Sequence, residues 1–578
     1  MTRTGAQIMC EALVREDVHL IFGIPGGAIM PFYHALWEYR EQLHHVLCRH
    51  EQGAGHAAEG FARASGRVGV CVGTSGPGAT NLVTPIADAW MDGTPLVVIT
   101  GQVSSALLGT DAFQEVDITG ITVPITKHSY LVKRAEDLPR VFAEAFHIAR
   151  TGRPGPVHID VTKDAQSASV EPVWGRPIDL PGYAPPRMAG TTAIRFAAAL
   201  LAQAKRPLIL AGNGVIQSGA AGELTAFAEH THIPVVTTLH GLGAFSLDHP
   251  LALGMPGMHG WVHVNRAIQD CDVLLNIGSR FDDRVTGKAA TFAPRATIIH
   301  IDVDPAQMGK VVRADIAVVA DAREALRALI AETPPIDTRE WLAWIRALEA
   351  THKPRQAYVR RDRTAALMPH DVYDAMNASF AGREDWRVVT DVGQHQMWAA
   401  QLLEWRRPRT HITSGGAGTM GFAVPAALGV AMACPTDTVW VVVGDGGFQM
   451  TNQELATIEQ ERVRNVKIAV INNGYLGMVR QWQELFENRR YSGTPLSGPS
   501  FALLAEAYGV RAFTVSHASD ARGAIDAAWN HPGCALIDFK VEREANVFPM
   551  VPAGASIGEM ILGGESIPAP VAAMTTGS

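Results

Sequence analysis

The sequence predicts an α/β protein of three doubly wound, mostly parallel-sheet domains. Three observations carry this. Short apolar, β-branched runs recur along the chain with helical segments between them, the pattern of buried parallel strands joined by crossover helices. A length of 578 residues accommodates about three to four domains. A content of 47% apolar and 18% charged residues is that of a folded globular chain, and no short-period repeat suggests a solenoid. The net charge of −8 argues against nucleic acid or an anionic membrane as the main partner. No apolar run reaches the roughly 18 residues needed to span a bilayer. The opening MTRTGAQIMCEALVRED lacks a secretory apolar region, and the six cysteines show no CxxC spacing. The expected location is therefore the cytoplasm, with the cysteines as reduced core residues.

The first expected domain, residues 1–175, holds strands at His45–Arg49, Val68–Gly73, Leu96–Thr100 and Val157–Val161. Ser169–Arg187 is rich in Pro and Gly and reads as a linker. The second domain, 190–345, holds strands at Pro207–Ala211, Ile233–Thr237, Val273–Ile277 and Thr297–Ile301. A charged helical stretch and a basic segment follow, around Glu340 to Arg363, and the third domain occupies 365–578.

The third domain carries the most informative stretch. Thr438 to Val443 and Val466 to Ile471 read as buried strands, followed by Gly444-Asp445-Gly446 and Asn472-Asn473. Thr451-x-x-Glu454 is a capping-box pattern that predicts a helix through about Arg462. Asp445 and Asn472 are thus expected at the carboxyl ends of two parallel strands, where open α/β sheets bind ligands. A carboxylate and an amide oxygen there suit Mg²⁺, which keeps positions open for phosphate oxygens, and glycines let the backbone approach. Two bare turns would give the same pattern.

Other segments bear on chemistry. Glu51, at a strand-to-helix junction within HEQGAGHAAEGFARASG, is by itself a favourable partner for the helix dipole. Gly73 to Asn81, with Gly76, is a glycine-rich strand-to-helix loop. Thr110 to Glu115 is a polar loop around Phe113 and Gln114. Ala211-Gly212-Asn213-Gly214 is not a full dinucleotide fingerprint, because Gln217 stands where the third glycine belongs. Arg280-Phe281-Asp282-Asp283-Arg284-Val285 can form a salt-bridge cluster or surround a dinucleotide.

Together these segments resemble the thiamin diphosphate (ThDP) enzymes, and among them the acetohydroxyacid (acetolactate) synthases, over about Ala6 to Leu562. The resemblance implies the ThDP-enzyme fold, with an N-terminal pyrimidine-binding, a central FAD-binding and a C-terminal diphosphate/Mg²⁺-binding domain. It implies that Asp445, Asn472 and the Gly474 carbonyl hold Mg²⁺. Glu51 would activate the aminopyrimidine, with Gln114 and Lys163 at the reacting end. Gly76, Asn81, Gln394, His395, Gly418, Gly444, Gly446, Gly447 and Met478 would contact ThDP, and Met420 would prop its bent shape. FAD, as a non-redox structural group, would meet Arg153, Gly212, Gly214, Thr238, Met258, His259, Gly278, Arg280, Asp282, Arg284, Val285, Asp302 and Asp321. Phe113, Arg284 and Trp482 would face substrate, Trp482 favouring 2-ketobutyrate as second substrate.

The activity so implied is decarboxylation of pyruvate on ThDP. The hydroxyethyl enamine then condenses with a second pyruvate or 2-ketobutyrate to give 2-acetolactate or 2-aceto-2-hydroxybutyrate, for branched-chain amino-acid synthesis. The alternative is another ThDP-dependent 2-ketoacid decarboxylase, oxidase or carboligase. A homodimer or dimer of dimers is expected, with a small regulatory subunit as a further partner. Trp482, Ala28, Ala112, Asp283 and Ala553 match the channel to which the family's herbicides bind. Ser104-Ser105 replaces the family's usual Pro-Arg on its rim and puts herbicide sensitivity in question.

Overall fold

A computed structural model of the chain describes residues 1–186, 188–352 and 366–563. Eighteen of its strands form three six-stranded sheets, and every pairing within them is parallel. The first sheet, built from Leu20–Gly23, His44–Leu47, Gly69–Gly73, Leu96–Gln102, His128–Val132 and Pro156–Thr162, runs 2-1-3-4-6-5 in chain order. The third has the same order, from Trp386–Thr390, His411–Thr413, Thr438–Gly444, Val466–Asn472, Arg511–Val515 and Ala535–Lys540. The central sheet, from Pro207–Ala211, Val235–Thr237, Ala252–Gly254, Val273–Ile277, Thr297–Asp302 and Ile316–Val319, runs 3-2-1-4-5-6. That is the doubly wound order that binds dinucleotides where its direction of winding reverses. Central strands such as Leu96–Gln102, Val273–Ile277 and Thr438–Gly444 are buried at nearly every residue, as sheets covered by helices on both faces require.

The reversal points place the candidate residues. In the third sheet the reversal lies between Trp386–Thr390 and Thr438–Gly444, so Asp391 to Gln394 and Gly444 to Gly447 leave the same edge. In the central sheet it lies between Pro207–Ala211 and Val273–Ile277, which brings Gly212 and Gly214 against Gly278. In the first it lies between Leu20–Gly23 and Gly69–Gly73, beside the loop containing Gly76.

The first and third sheets are joined by a close helix pair. Helix Glu51–Ser65 packs on helix Ala423–Ala433, and both faces are small residues. A Cβ on Gly60 would lie 2.0 Å from the Ala426 carbonyl oxygen, and one on Gly429 1.8 Å from that of Ala57. Neither contact can relax without separating backbones. Gly429→Ala is therefore expected to lower stability by about 1–3 kcal/mol as an overpacked site. A lower urea midpoint at unchanged slope would show it, whereas an unchanged midpoint would contradict this packing.

Two sequence expectations change. Thr451 and Glu454 form no capping box: the helix breaks into Asp445–Thr451 and Glu454–Gln460. The Thr451 hydroxyl donates to the Gly421 carbonyl instead. The Glu454 carboxylate reaches across to accept from the Arg49 and His50 N–H groups, at 3.0 and 3.1 Å, just before helix Glu51–Ser65. An anion at a helix start outbids a local cap. The expected linker is partly tied down, since Ser169–Val170 pairs antiparallel with Arg3–Thr4 and Trp174 lies under Arg15. Within it Arg187 lies outside the described residues, as do 353–365 of the basic segment and 564–578 of the third domain. No helix among the described residues is long and apolar enough to cross a membrane.

Candidate active site

One cavity of about 1210 Å³ runs from the central sheet to the third. At its third-sheet end lie Gln394, His395, Gly418, Met420, Asp445 with its neighbours Gly444, Gly446 and Gly447, and Met478. Asp445 starts a helix directly off its strand and is 5% exposed. Burial pushes its carboxyl up to about 6, although its own, the Gly446 and the Gly474 N–H favour the anion. A bound cation would relieve that burial. Asn472 ends the neighbouring strand, with its amide nitrogen donating to Asp538 at 2.9 Å. Gly474 has a left-handed backbone (φ 68°), and its carbonyl accepts from the Leu496 N–H at 2.9 Å, leaving a second lone pair. Asn472 and Gly474 lie beside the cavity wall rather than in it, flanking Asn473.

The His395 ring is buried and held neutral, pushed down to about 3 by burial, and its Nε2 has no partner. It packs against Gly444, where a Cβ would lie 3.0 Å from the ring. The Met420 methyl would touch a Cβ on Gly446 at 3.3 Å. Gln394 is otherwise engaged: its amide donates to Gln481 and the Ala545 carbonyl and accepts from Asn473, so it fastens the loop.

At the central end a glycine cradle forms. A Cβ on Gly212 would lie 2.3 Å from the Gly278 carbonyl oxygen, and one on Gly278 2.5 Å from the Gly214 Cα. Gly214 and Gly278 line the cavity with Arg153, Thr238, Met258, His259 and Arg280, whereas Gly212 sits behind them. Asp302 and Asp321 line its far end, and burial pushes Asp302 up to about 6. Asp282 and Asp321 also serve as helix caps, accepting from Arg284 N and Arg323 N. Between the two ends Val285 lines the cavity and Arg284 reaches Trp482: the guanidinium lies 5.8 Å from the indole centroid, and the Trp482 Nε1 is buried without a partner.

The remaining candidates form a separate group on the first domain and do not line this cavity. Glu51 is 9% exposed, and its Oε2 accepts from Asn81 Nδ2 at 2.9 Å. Its Oε1 faces Gly78, where a Cβ would stand 3.4 Å away. Gly76 abuts Gln114, whose backbone is left-handed (φ 61°). Phe113 is 89% exposed. Lys163 is exposed at the start of a short helix, beside Asp164, which accepts from the Ser105 N–H at 2.8 Å.

Sequence reasoning missed Asp92, a cavity-wall residue. It accepts from Arg63 and from the Gly415 and Gly416 N–H groups and faces His240 at 2.9 Å, locking the loop before Gly418 to the first domain. Burial opposes its ionisation, but His240, Arg63 and the Gly415 N–H outweigh this and hold the carboxyl below the usual range. Asp92 reads as an ordinary helix-end residue, and no local signal marks it.

Models of the thiamine pyrophosphate enzymes match the chain in three parts: the N-terminal TPP-binding domain over residues 3–121, the central domain over 194–329 and the C-terminal TPP-binding domain over 391–539. The chain belongs to the thiamine pyrophosphate enzyme family. Within it, the chain is 50% identical over 564 residues to the acetolactate synthase large subunit of Corynebacterium glutamicum, covering 96% of this chain and 89% of that one. It is 49% identical to the acetolactate synthase of Mycobacterium bovis (96% and 91% covered) and 46% to the isozyme 2 large subunit of Escherichia coli K12 (96% and 99%).

Proposed function

We propose that the chain is the catalytic subunit of an acetohydroxyacid synthase, acting on pyruvate with a second pyruvate or 2-ketobutyrate. The observation that carries this reading is the continuous cavity. It joins the Asp445 carboxylate, with Asn472 beside the wall next to it, to an Arg284–Trp482 pair, and that pair to the glycine cradle of the central sheet.

The residues fit three groups. Asp445, Asn472 and the Gly474 carbonyl supply oxygens of the kind Mg²⁺ takes. The unpartnered His395 Nε2 and the glycine-lined strand end suit a diphosphate. The Gly212–Gly214–Gly278 cradle with Arg153 and Arg280 suits the larger diphosphate of FAD. When bound, ThDP supplies a thiazolium that acts as electron sink for decarboxylation and carbon–carbon bond formation. The protein's part is to place charge and exclude water. Glu51 holds a proton at the pyrimidine end, with Asn81 fixing one carboxyl oxygen. Met420 fills the space beside Gly446. Arg284 offers a cation to a substrate carboxylate, and Gln114 and Lys163 offer a donor and a charge on the opposite side.

Glu51 and its neighbours do not line this chain's cavity, and Phe113 stands in water. Both are explained if the first domain of one copy completes the cavity of a second, so we infer a homodimer or a dimer of dimers as the working unit. The relatives' "large subunit" names support a small regulatory subunit as further partner. The six free cysteines support a reducing cytoplasm.

Trp482 gives a quantitative test. A broad aromatic wall rewards one extra methylene by about 1–3 kcal/mol, so Trp482→Leu should cut the preference for 2-ketobutyrate over pyruvate by roughly 10-fold or more. Competition between the two ketoacids, read as the product ratio, measures it; an unchanged ratio would remove Trp482 from the substrate wall. The reading as a whole is tested by product analysis with pyruvate, ThDP, Mg²⁺ and FAD. It requires 2-acetolactate; acetaldehyde or acetate would point to a decarboxylase or oxidase.

A further inference from the structure

The metal corner contains a side chain that no motif marks. Asp538 lies on strand Ala535–Lys540, which pairs with Val466–Asn472 so that Asn472 stands opposite Lys540. Strand residues two apart share a face, so Asp538 and Lys540 both project beside Asn472. Asp538 is 1% exposed. One of its oxygens accepts from the Asn472 amide nitrogen at 2.9 Å, and the other pairs with the Lys540 ammonium at 2.7 Å.

An amide can be rotated by half a turn with little change in shape, but the two orientations differ in what they offer a cation. One presents an oxygen and binds it; the other presents an NH₂ and repels it. A carboxylate has acceptors only, so Asp538 can be satisfied only by the amide nitrogen. The oxygen must then leave on the other side. Lys540 fixes the carboxylate's own orientation from its second oxygen, using a charge at the more exposed rim.

We propose that Asp538 is a positioning residue that selects the metal-ligating orientation of Asn472, with Lys540 holding Asp538 in place. The inference rests on the reading of Asp445, Asn472 and Gly474 as the Mg²⁺ site. Partners behind metal ligands typically govern 10–100-fold in affinity.

The test is titration of the FAD-loaded protein with Mg²⁺ at fixed ThDP, followed by tryptophan fluorescence. Asp538→Asn is nearly isosteric, yet it can turn either an oxygen or an NH₂ toward Asn472, so selection is lost. The apparent Mg²⁺ dissociation constant should rise about 10–100-fold. FAD content and unfolding midpoint should not move, and turnover should return when Mg²⁺ is raised to saturation. Lys540→Met, at the exposed end, should raise the same constant by a smaller factor. An unchanged constant in Asp538→Asn overturns the proposal. So does loss of Mg²⁺ affinity, FAD and stability together in both variants, since that marks a merely structural carboxylate. A wild-type chain that binds ThDP without any Mg²⁺ dependence overturns the metal site itself and the proposal with it.

Discussion

Glu51→Gln should lose turnover by about 10²–10⁴-fold, the range for removing a positioned acid–base group, while leaving the fold in place. The carboxyl sits at the first residue of helix Glu51–Ser65, 9% exposed, with one oxygen engaged by Asn81 and the other beside Gly78. Glutamine has the same shape and can accept the Asn81 hydrogen bond, but it cannot take up and release a proton. Its structural cost is the lost attraction of a carboxylate to a helix start, about 0.3–1 kcal/mol. The helix keeps its anchor, because Glu454 still accepts from Arg49 and His50. Acetolactate formation beside a thermal melt would measure both effects. Near-normal turnover would sink the proposed role of Glu51.

Asp445→Asn should abolish Mg²⁺-dependent ThDP binding at ordinary concentrations. Removing a partner behind a metal ligand costs about 10–100-fold, so removing the one charged ligand should cost at least about 100-fold. In the free protein the carboxyl is held in a buried place that disfavours its charge, and its proton affinity is pushed up to about 6. The carboxyl thus carries a burial cost that its backbone N–H partners only partly offset and that a bound cation would relieve. Neutral asparagine removes both the burial cost and the attraction, so the variant should be as stable as wild type without metal. It should gain no stability when Mg²⁺ and ThDP are added, whereas wild type should gain with ligand excess. Melting each protein with and without the two ligands measures this. Equal stabilisation of both would remove Asp445 from the metal site.

Much of this arrangement was legible locally. A buried β-branched run followed by glycine and a polar residue marks a strand end, which is how Asp445, Asn472 and the Gly73–Asn81 loop stood out. Short, mixed strands such as His128–Val132 and Ile316–Val319, at sheet edges, lack that signal and were not foreseen. Contacts between distant segments were not legible either. The Glu454 carboxylate reads as a local cap, yet it serves backbone groups 404 and 405 residues away. Asp92 locks Gly415 and Gly416 from another domain. Spacing reports which residues share a helix turn or strand face, but not which elements the fold later brings together. The placing of Glu51 is of the same kind: it does not line the cavity that holds Asp445, and neither motif's spacing reports that.

The most direct test is therefore to co-express Glu51→Gln and Asp445→Asn chains under different tags and measure 2-acetolactate made from pyruvate. Each variant alone should be nearly inactive. If Glu51 of one copy serves Asp445 of the other in a two-fold dimer, half of randomly mixed dimers are hybrids, and each hybrid holds one intact site. Activity should then recover to roughly a quarter of wild type. If both residues act within one chain, every hybrid site keeps one defect. An inactive mixture, with hybrids shown to be present by double-tag purification, would contradict the shared site.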